Sequence, residues 1–229
     1  MAERAAVDEG ADDSQAEQME RRAAREVLAG FHGTVWDAVQ RDSLPLLRCF
    51  FLVHGSSALL RLRDMREGAG RRSLLHHASW HGSDRCVRYL LRMGAAVDAV
   101  DTTYSRTPPL LEAARAGHGT TLSILLEGGA DVRRRDAQGY SALHWACARG
   151  WTQAARVLLS FAARAGDDEL LHMLHAKTTA GKTALDLTSN AATQLLLEKE
   201  LEAGRERRRR SRAQARSSGQ RTARPVPSS

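Results

Sequence analysis

The side chains that could do chemistry are few, and they are scattered. His172 and His175 stand three residues apart in Asp-Asp-Glu-Leu-Leu-His-Met-Leu-His, residues 167–175. On a helix that spacing sets two imidazoles on one face, as a metal site requires. A third ligand would have to come from Asp167, Asp168 or Glu169 folding back, so the expectation is no bound metal. Cys49, Cys86 and Cys147 form no pair at zinc spacing, and their odd number argues against a disulfide framework. All three lie on or near apolar helix faces, where a thiol behaves as a small hydrophobe. No glycine-rich phosphate loop and no Gly-x-Ser-x-Gly elbow occurs, and no pair of carboxylates has a catalytic setting. The residues therefore point away from an enzyme and call for no cofactor.

The densest run of charge is Arg205, Arg207, Arg208, Arg209, Arg210 and Arg212. Such a run reads as a nuclear localisation signal or a phosphate-binding arm, against a solvated tail in a chain with 31 Arg and 3 Lys. No aromatic residue interleaves with these arginines, which argues against stacking on single-stranded bases. Net charge is +7 over 229 residues, but residues 1–30 carry −4 and residues 204–229 carry +8, leaving a mildly basic middle. Hydrophobic residues make up 42% of the chain, enough for a packed core, and aromatic residues only 5%. That combination suits an interior of Leu, Val and Ala between closely packed short helices. No apolar run nears the roughly 18 residues of a membrane span. The first residues lack the pattern of a secretory signal, so the expected setting is the cytoplasm, with the nucleus as the alternative.

The elements that must position these side chains are most legible in Gly139–Leu159. A turn glycine is followed by a short helix capped by Ser141, a break at Gly150, and a second short helix ending in Val157, Leu158 and Leu159. Neither helix is long enough to stand alone in water. The same unit recurs upstream. Pro108–His118 leads to Leu122, Ile124, Leu125 and Leu126 and then Gly129-Ala130-Asp131-Val132. Ser73–Gly82 leads to Val87, Tyr89, Leu90 and Leu91 and then Gly94–Asp98. The break glycines Gly82, Gly117 and Gly150 are 35 and 33 residues apart. A period near 33, with a Thr-Pro-Leu-His-like opening and a Gly-Ala-Asp-Val-like close, resembles the ankyrin repeat.

The resemblance implies an all-α solenoid of about five units of paired short antiparallel helices with hairpin-like loops. A degenerate first repeat spans 34–55, with Asp42 where the break glycine belongs and Leu46, Leu47, Phe50 and Phe51 facing inward. Full repeats follow at 70–101, 105–136 and 137–163, then an insertion at 164–178 and a partial capping repeat at 179–203. Together these make an ankyrin domain over 31–203. Residues 1–30 are expected to be largely disordered, with a lead-in helix from Glu17 to Leu28. Residues 204–229 are expected to be a disordered Arg-rich tail. A turn is expected at Gly68-Ala69-Gly70.

In ankyrin repeats the histidine of the opening motif hydrogen-bonds backbone of the adjacent unit, which gives His76 and His144 a structural role. Leu111 at the same place cannot make that bond. Trp145 and Leu187 take positions normally filled by an inward Leu. The resemblance also implies a protein partner, held in a concave groove lined by loop tips and exposed first-helix positions. Position by position these are Trp80, His81, Val100, Arg115, Arg135, Gln138, Tyr140, Arg149 and Trp151. With Arg133 and Arg134 alongside, such a groove favours an acidic partner. By itself the chain reads as a monomer, and a nuclear regulator acting through the Arg tail is the alternative function.

Gly117 carries a test of this register. A β-branched residue strains at the positive φ of a break position, so Gly117→Val should cost on the order of 1–3 kcal/mol. Thermal melting reads that loss, and an unchanged midpoint would put the register wrong.

Overall fold

The computed structural model describes residues 2–62, 71–102, 105–188 and 190–220, without the side chains of 2–14, 208 and 211–220. The expected turn at Gly68-Ala69-Gly70 and the last nine residues of the tail lie outside the described residues. The chain divides into two compact units, residues 1–131 and 132–229. The fold is all-α, with one isolated antiparallel bridge, Arg135 to Ser141, among the described residues.

The first unit holds α1 (Ala2–Ala29), α2 (Val35–Gln40), α3 (Leu44–His54), α4 (Ser56–Arg61), α5 (Leu74–His81), α6 (Asp84–Arg92), α7 (Pro109–Ala116) and α8 (Gly119–Glu127). The first helices of its repeats form one row, with α2 packed on α5 and α5 on α7. The second helices form another, with α3 against α6 and α6 against α8. The core lies between the rows, with Leu47, Leu75, Leu90, Leu110, Leu111, Leu122 and Leu125 fully buried. Leu47 and Phe51 of α3 are buried as expected, while Leu46 and Phe50 are half-buried.

Local sequence explains each boundary. Thr34 and Ser73 cap α2 and α5 and close reciprocal boxes with Asp37 and His76. Gly82 and Gly117 end α5 and α7 in the left-handed region at φ 68° and 87°. Asp42 takes the equivalent place in the first repeat at φ 47°, and its carboxylate accepts the Cys86 amide at 2.9 Å. That bond offsets the strain of a non-glycine residue there.

The second unit holds α9 (Ala142–Ala148), α10 (Thr152–Ala165), α11 (Asp167–His175), α12 (Ala184–Leu187) and α13 (Ala191–Gln220). Ser141 and Thr183 cap α9 and α12 with the same reciprocal box, to His144 and Asp186. The inserted stretch is a core element. Helix α11 buries Leu170, Leu171, Met173 and Leu174 and packs on α10 and α13.

At both ends the described residues are helical. Residues 2–29 are one helix, which buries Ala24 and packs on α3. Residues 204–220 continue α13. Two features account for the helix. Gly204 is buried against Leu171, and Arg207 pairs with Asp167 at 3.0 Å. Arg210 also pairs with Glu206 one turn back, at 2.5 Å.

Gly82 and Gly94 both need positive φ, at 68° and 87°, but their surroundings differ. A Cβ on Gly82 would sit 2.5 Å from the His118 ring, whereas one on Gly94 meets nothing within 4 Å. Gly94→Ala should therefore cost about 1 kcal/mol from the backbone alone. Gly82→Ala should cost about 2–4 kcal/mol, because the imidazole must also shift. Denaturant midpoints of the two variants give the comparison directly.

Candidate functional site

The two opening-motif histidines do one structural job. His76 Nδ1 faces the Ser73 amide at 3.3 Å and its hydroxyl at 2.7 Å. The same nitrogen must accept from that amide, which leaves Nε2 as the protonated nitrogen. Nε2–H then donates to the Thr107 carbonyl of the next repeat at 3.0 Å. His144 repeats the arrangement with Ser141 and donates to the Ala176 carbonyl at 3.1 Å. Burial lowers the His144 pKa, so the ring is held neutral, as its accepting nitrogen requires. Leu111, the aliphatic counterpart, is fully buried.

The candidate residues of the first unit gather at the end of α5. Trp80 is half-buried, with the guanidinium of Arg115 4.8 Å and that of Arg72 5.9 Å from its ring centroid. His118 Nε2–H donates to the Trp80 carbonyl at 3.0 Å. Beneath the ring, Arg72 pairs with fully buried Glu112 at 2.9 Å and lies 3.8 Å from Asp101. The Arg72–Glu112 contact is an ion pair without hydrogen-bond alignment. Burial pushes the Glu112 carboxyl up, while Arg72 and Arg115 oppose the shift. Arg115 is half-buried, lies over the Trp80 ring and acts electrostatically on Glu112. His81 is half-buried beside His77, and burial, then His118, lowers its pKa. Trp36 adds a ring 4.7 Å from His77. Val100 is half-buried in the following loop.

In the second unit the hairpin before α9 is organised by Asp136, which is buried. Its Oδ1 accepts the amides of Gln138 at 3.0 Å and Tyr140 at 2.8 Å. Its Oδ2 accepts the Trp145 indole N–H at 2.9 Å. This fixes Tyr140 against Trp145 with ring centroids 4.9 Å apart, both half-buried. Trp145 was expected in the core. It belongs instead to this partly open aromatic pair, because its polar N–H needs the Asp136 carboxylate. Leu187 is likewise half-buried rather than internal.

Three candidates of this unit are exposed: Arg135, Arg149 and Trp151, the last by 42%. Arg135 donates to the Lys177 carbonyl at 3.0 Å, and the Gln138 carbonyl accepts from Thr179 N–H at 3.1 Å. Arg133, read as part of a basic groove, is paired through two nitrogens with Glu169 of α11. That pairing holds the Glu169 carboxyl below its ordinary value. The missed residue, Trp145, had a sequence signal: it stands one turn before Arg149, on the helix that follows Tyr140.

The remaining chemistry is quiet. Burial pushes the Cys86 and Cys147 thiols up to about 12, so both stay protonated. His175 Nδ1–H donates to the Leu171 carbonyl at 2.8 Å. Among the described residues, no group of three or more His, Cys, Asp or Glu comes together that could hold a metal. No described helix is long and apolar enough to cross a membrane. In the tail, Arg205 and Arg209 are exposed, Arg207 is paired with Asp167, and Arg210 with Glu206. The side chains of Arg208 and Arg212 lie outside the description.

Comparison with known proteins agrees with this architecture. A family model described as ankyrin repeats (3 copies) matches residues 36–136 and 110–207. The chain belongs to the ankyrin-repeat family. It is similar to the glycerophosphocholine phosphodiesterase gde1 of Schizosaccharomyces pombe, 33% identical over 124 residues, covering 52% of this chain and 11% of that protein. The palmitoyltransferase Hip14 of Drosophila melanogaster is 43% identical over 72 residues, 31% of this chain and 11% of its own length. The mouse B-cell lymphoma 3 protein homolog is 36% identical over 104 residues, 45% of this chain and 22% of its own. The match thus spans about a tenth to a fifth of these relatives, and the activities in their names belong to those proteins.

The lowered pKa of His144 carries a pH test. A base whose pKa falls on folding contributes stability that is fully present above its ordinary value of 6.5. That stability is lost as the pH falls from there through the lowered value. The wild-type urea midpoint should therefore drop between pH 7.5 and 5.5 by more than that of His144→Gln. Equal drops would show that His144 is not held neutral.

Proposed function

We propose that the chain is a non-enzymatic adaptor that binds a protein segment through the first helices and hairpin tips of its repeats. The observation that carries this reading is the Tyr140–Trp145 pair, held 4.9 Å apart and half-open, with exposed Arg135 and Arg149 beside it. Trp, Tyr and Arg dominate interface energies when set in a rigid frame. Asp136, buried and accepting three hydrogen bonds, supplies that frame. The partner is an acidic segment with an apolar or aromatic residue to lie on the rings. In the first unit, Trp80, His81 and Val100 form the corresponding surface, with Arg115 supporting Trp80 from beneath. Buried protonated thiols suit a reducing compartment, the cytoplasm or the nucleus.

Affinity purification with mass spectrometry tests the surface. Tyr140→Ala combined with Arg149→Ala should remove partners that wild type and Arg156→Ala both retain, at unchanged melting temperature. A partner set that is the same in all three proteins contradicts the reading.

A further inference from the structure

The helical form of residues 204–220 gives the arginine run a geometry that a disordered tail would lack. Helix α13 is anchored along one face. Thr193, Leu197 and Gly204 are buried, Gly204 against Leu171, and Arg207 is paired with Asp167 and lies 3.8 Å from Glu200. Arg205, Arg209, Arg212 and Arg216 recur at i, i+4, i+7 and i+11. At 3.6 residues per turn these positions fall within about 60° of one another, on a different face from the anchors, over about 16 Å of helix. Arg205 and Arg209 are exposed. Glu206, the sole acid in residues 205–220 against seven arginines, is off this stripe and paired with Arg210.

We propose that this stripe binds duplex nucleic acid through its phosphate backbone, without sequence preference. The chemistry of residues 205–216 selects that class. Guanidinium groups pair with phosphate bidentately. A membrane-surface helix needs a large apolar face, yet these residues offer nothing more apolar than Ala213 and Ala215. A protein interface is dominated by buried aromatic or aliphatic anchors, and single-strand binding by aromatic platforms; the segment has neither. The pairs Arg205–Arg209 and Arg212–Arg216 are like charges four apart, which weaken a free helix. Phosphates along the stripe relieve that repulsion, so binding and helix formation reinforce each other. This surface is separate from the hairpin of Tyr140 and Trp145, and its test does not depend on the partner proposed there.

The experiment is fluorescence anisotropy of the full chain with a labelled 20-base-pair DNA duplex, at several salt concentrations. Four phosphate contacts give a slope of log K against log salt of about −3.6, which is about a 100-fold loss between 50 and 200 mM salt. Replacing Arg205, Arg209, Arg212 and Arg216 together by Gln should abolish most binding at 50 mM salt, by about 100-fold. A charge-matched variant, with Arg61, Arg85, Arg88 and Arg156 replaced by Gln, should stay within about threefold of wild type, because its exposed arginines lie outside the stripe. A third variant, Ala213→Pro with Ala215→Pro, keeps every charge but breaks the helix, and should lose about tenfold or more. The proposal fails if the stripe variant binds as wild type does, or if the charge-matched variant weakens equally. It fails too if the proline variant keeps full affinity. Poly-glutamate or phosphatidylserine vesicles competing as well as duplex, at equal charge and salt, would also overturn it.

Discussion

The fold depends on helices too short to stand alone being tied to their neighbours by a side chain that serves two repeats at once. Helix α5 has eight residues and α9 seven, well under the roughly 12–15 needed for even marginal helicity in water. His76 and His144 meet that constraint within their own units. One ring nitrogen accepts from the helix N-terminus and the other donates to a carbonyl 31 or 32 residues further on. A cap contributes about 1 kcal/mol, and so does a buried hydrogen bond. Neither is large, but the second is lost when the neighbouring repeat unfolds, and with it the contact that holds the capping ring in place. That coupling, added to Leu-on-Leu burial between rows, makes adjacent repeats fold together.

With capped helices and buried leucines holding the repeats together, the hairpin tips and the open ends of the first helices are where the proposed binding surface is placed. The structure uses them unevenly. In the first unit, Arg72, Glu112 and Arg115 form a charged cluster against Trp80. In the second, Asp136 gives its carboxylate wholly to shaping the hairpin, leaving Tyr140 and Trp145 with open faces. Helix α11 adds a further constraint, since Glu169 pairs with Arg133 and leaves Arg134, Arg135 and Arg149 as the other exposed arginines of this surface.

The repeat architecture was legible because its signals are periodic. Break glycines, capping hydroxyls and Leu positions recur in phase, and even Asp42 was recognisable as a left-handed position without glycine. What was not legible depended on contacts between distant residues. Nothing near Trp145 says that its N–H will meet Asp136 and draw the ring out of the core. Nothing near Arg133 announces Glu169, 36 residues away. Composition registers the repulsion among the arginines of residues 204–220. It does not register a buried glycine and one ion pair that seed a helix.

The central claim is that binding occurs on the aromatic face of the hairpin and first helix. Site-specific photo-crosslinking tests it most directly, with benzoylphenylalanine placed at Tyr140 or, as the comparison, at exposed Arg156 on α10. The account predicts a defined crosslinked partner from position 140 and none from position 156. Crosslinks from 156 alone, or the same partners from both positions, would contradict it.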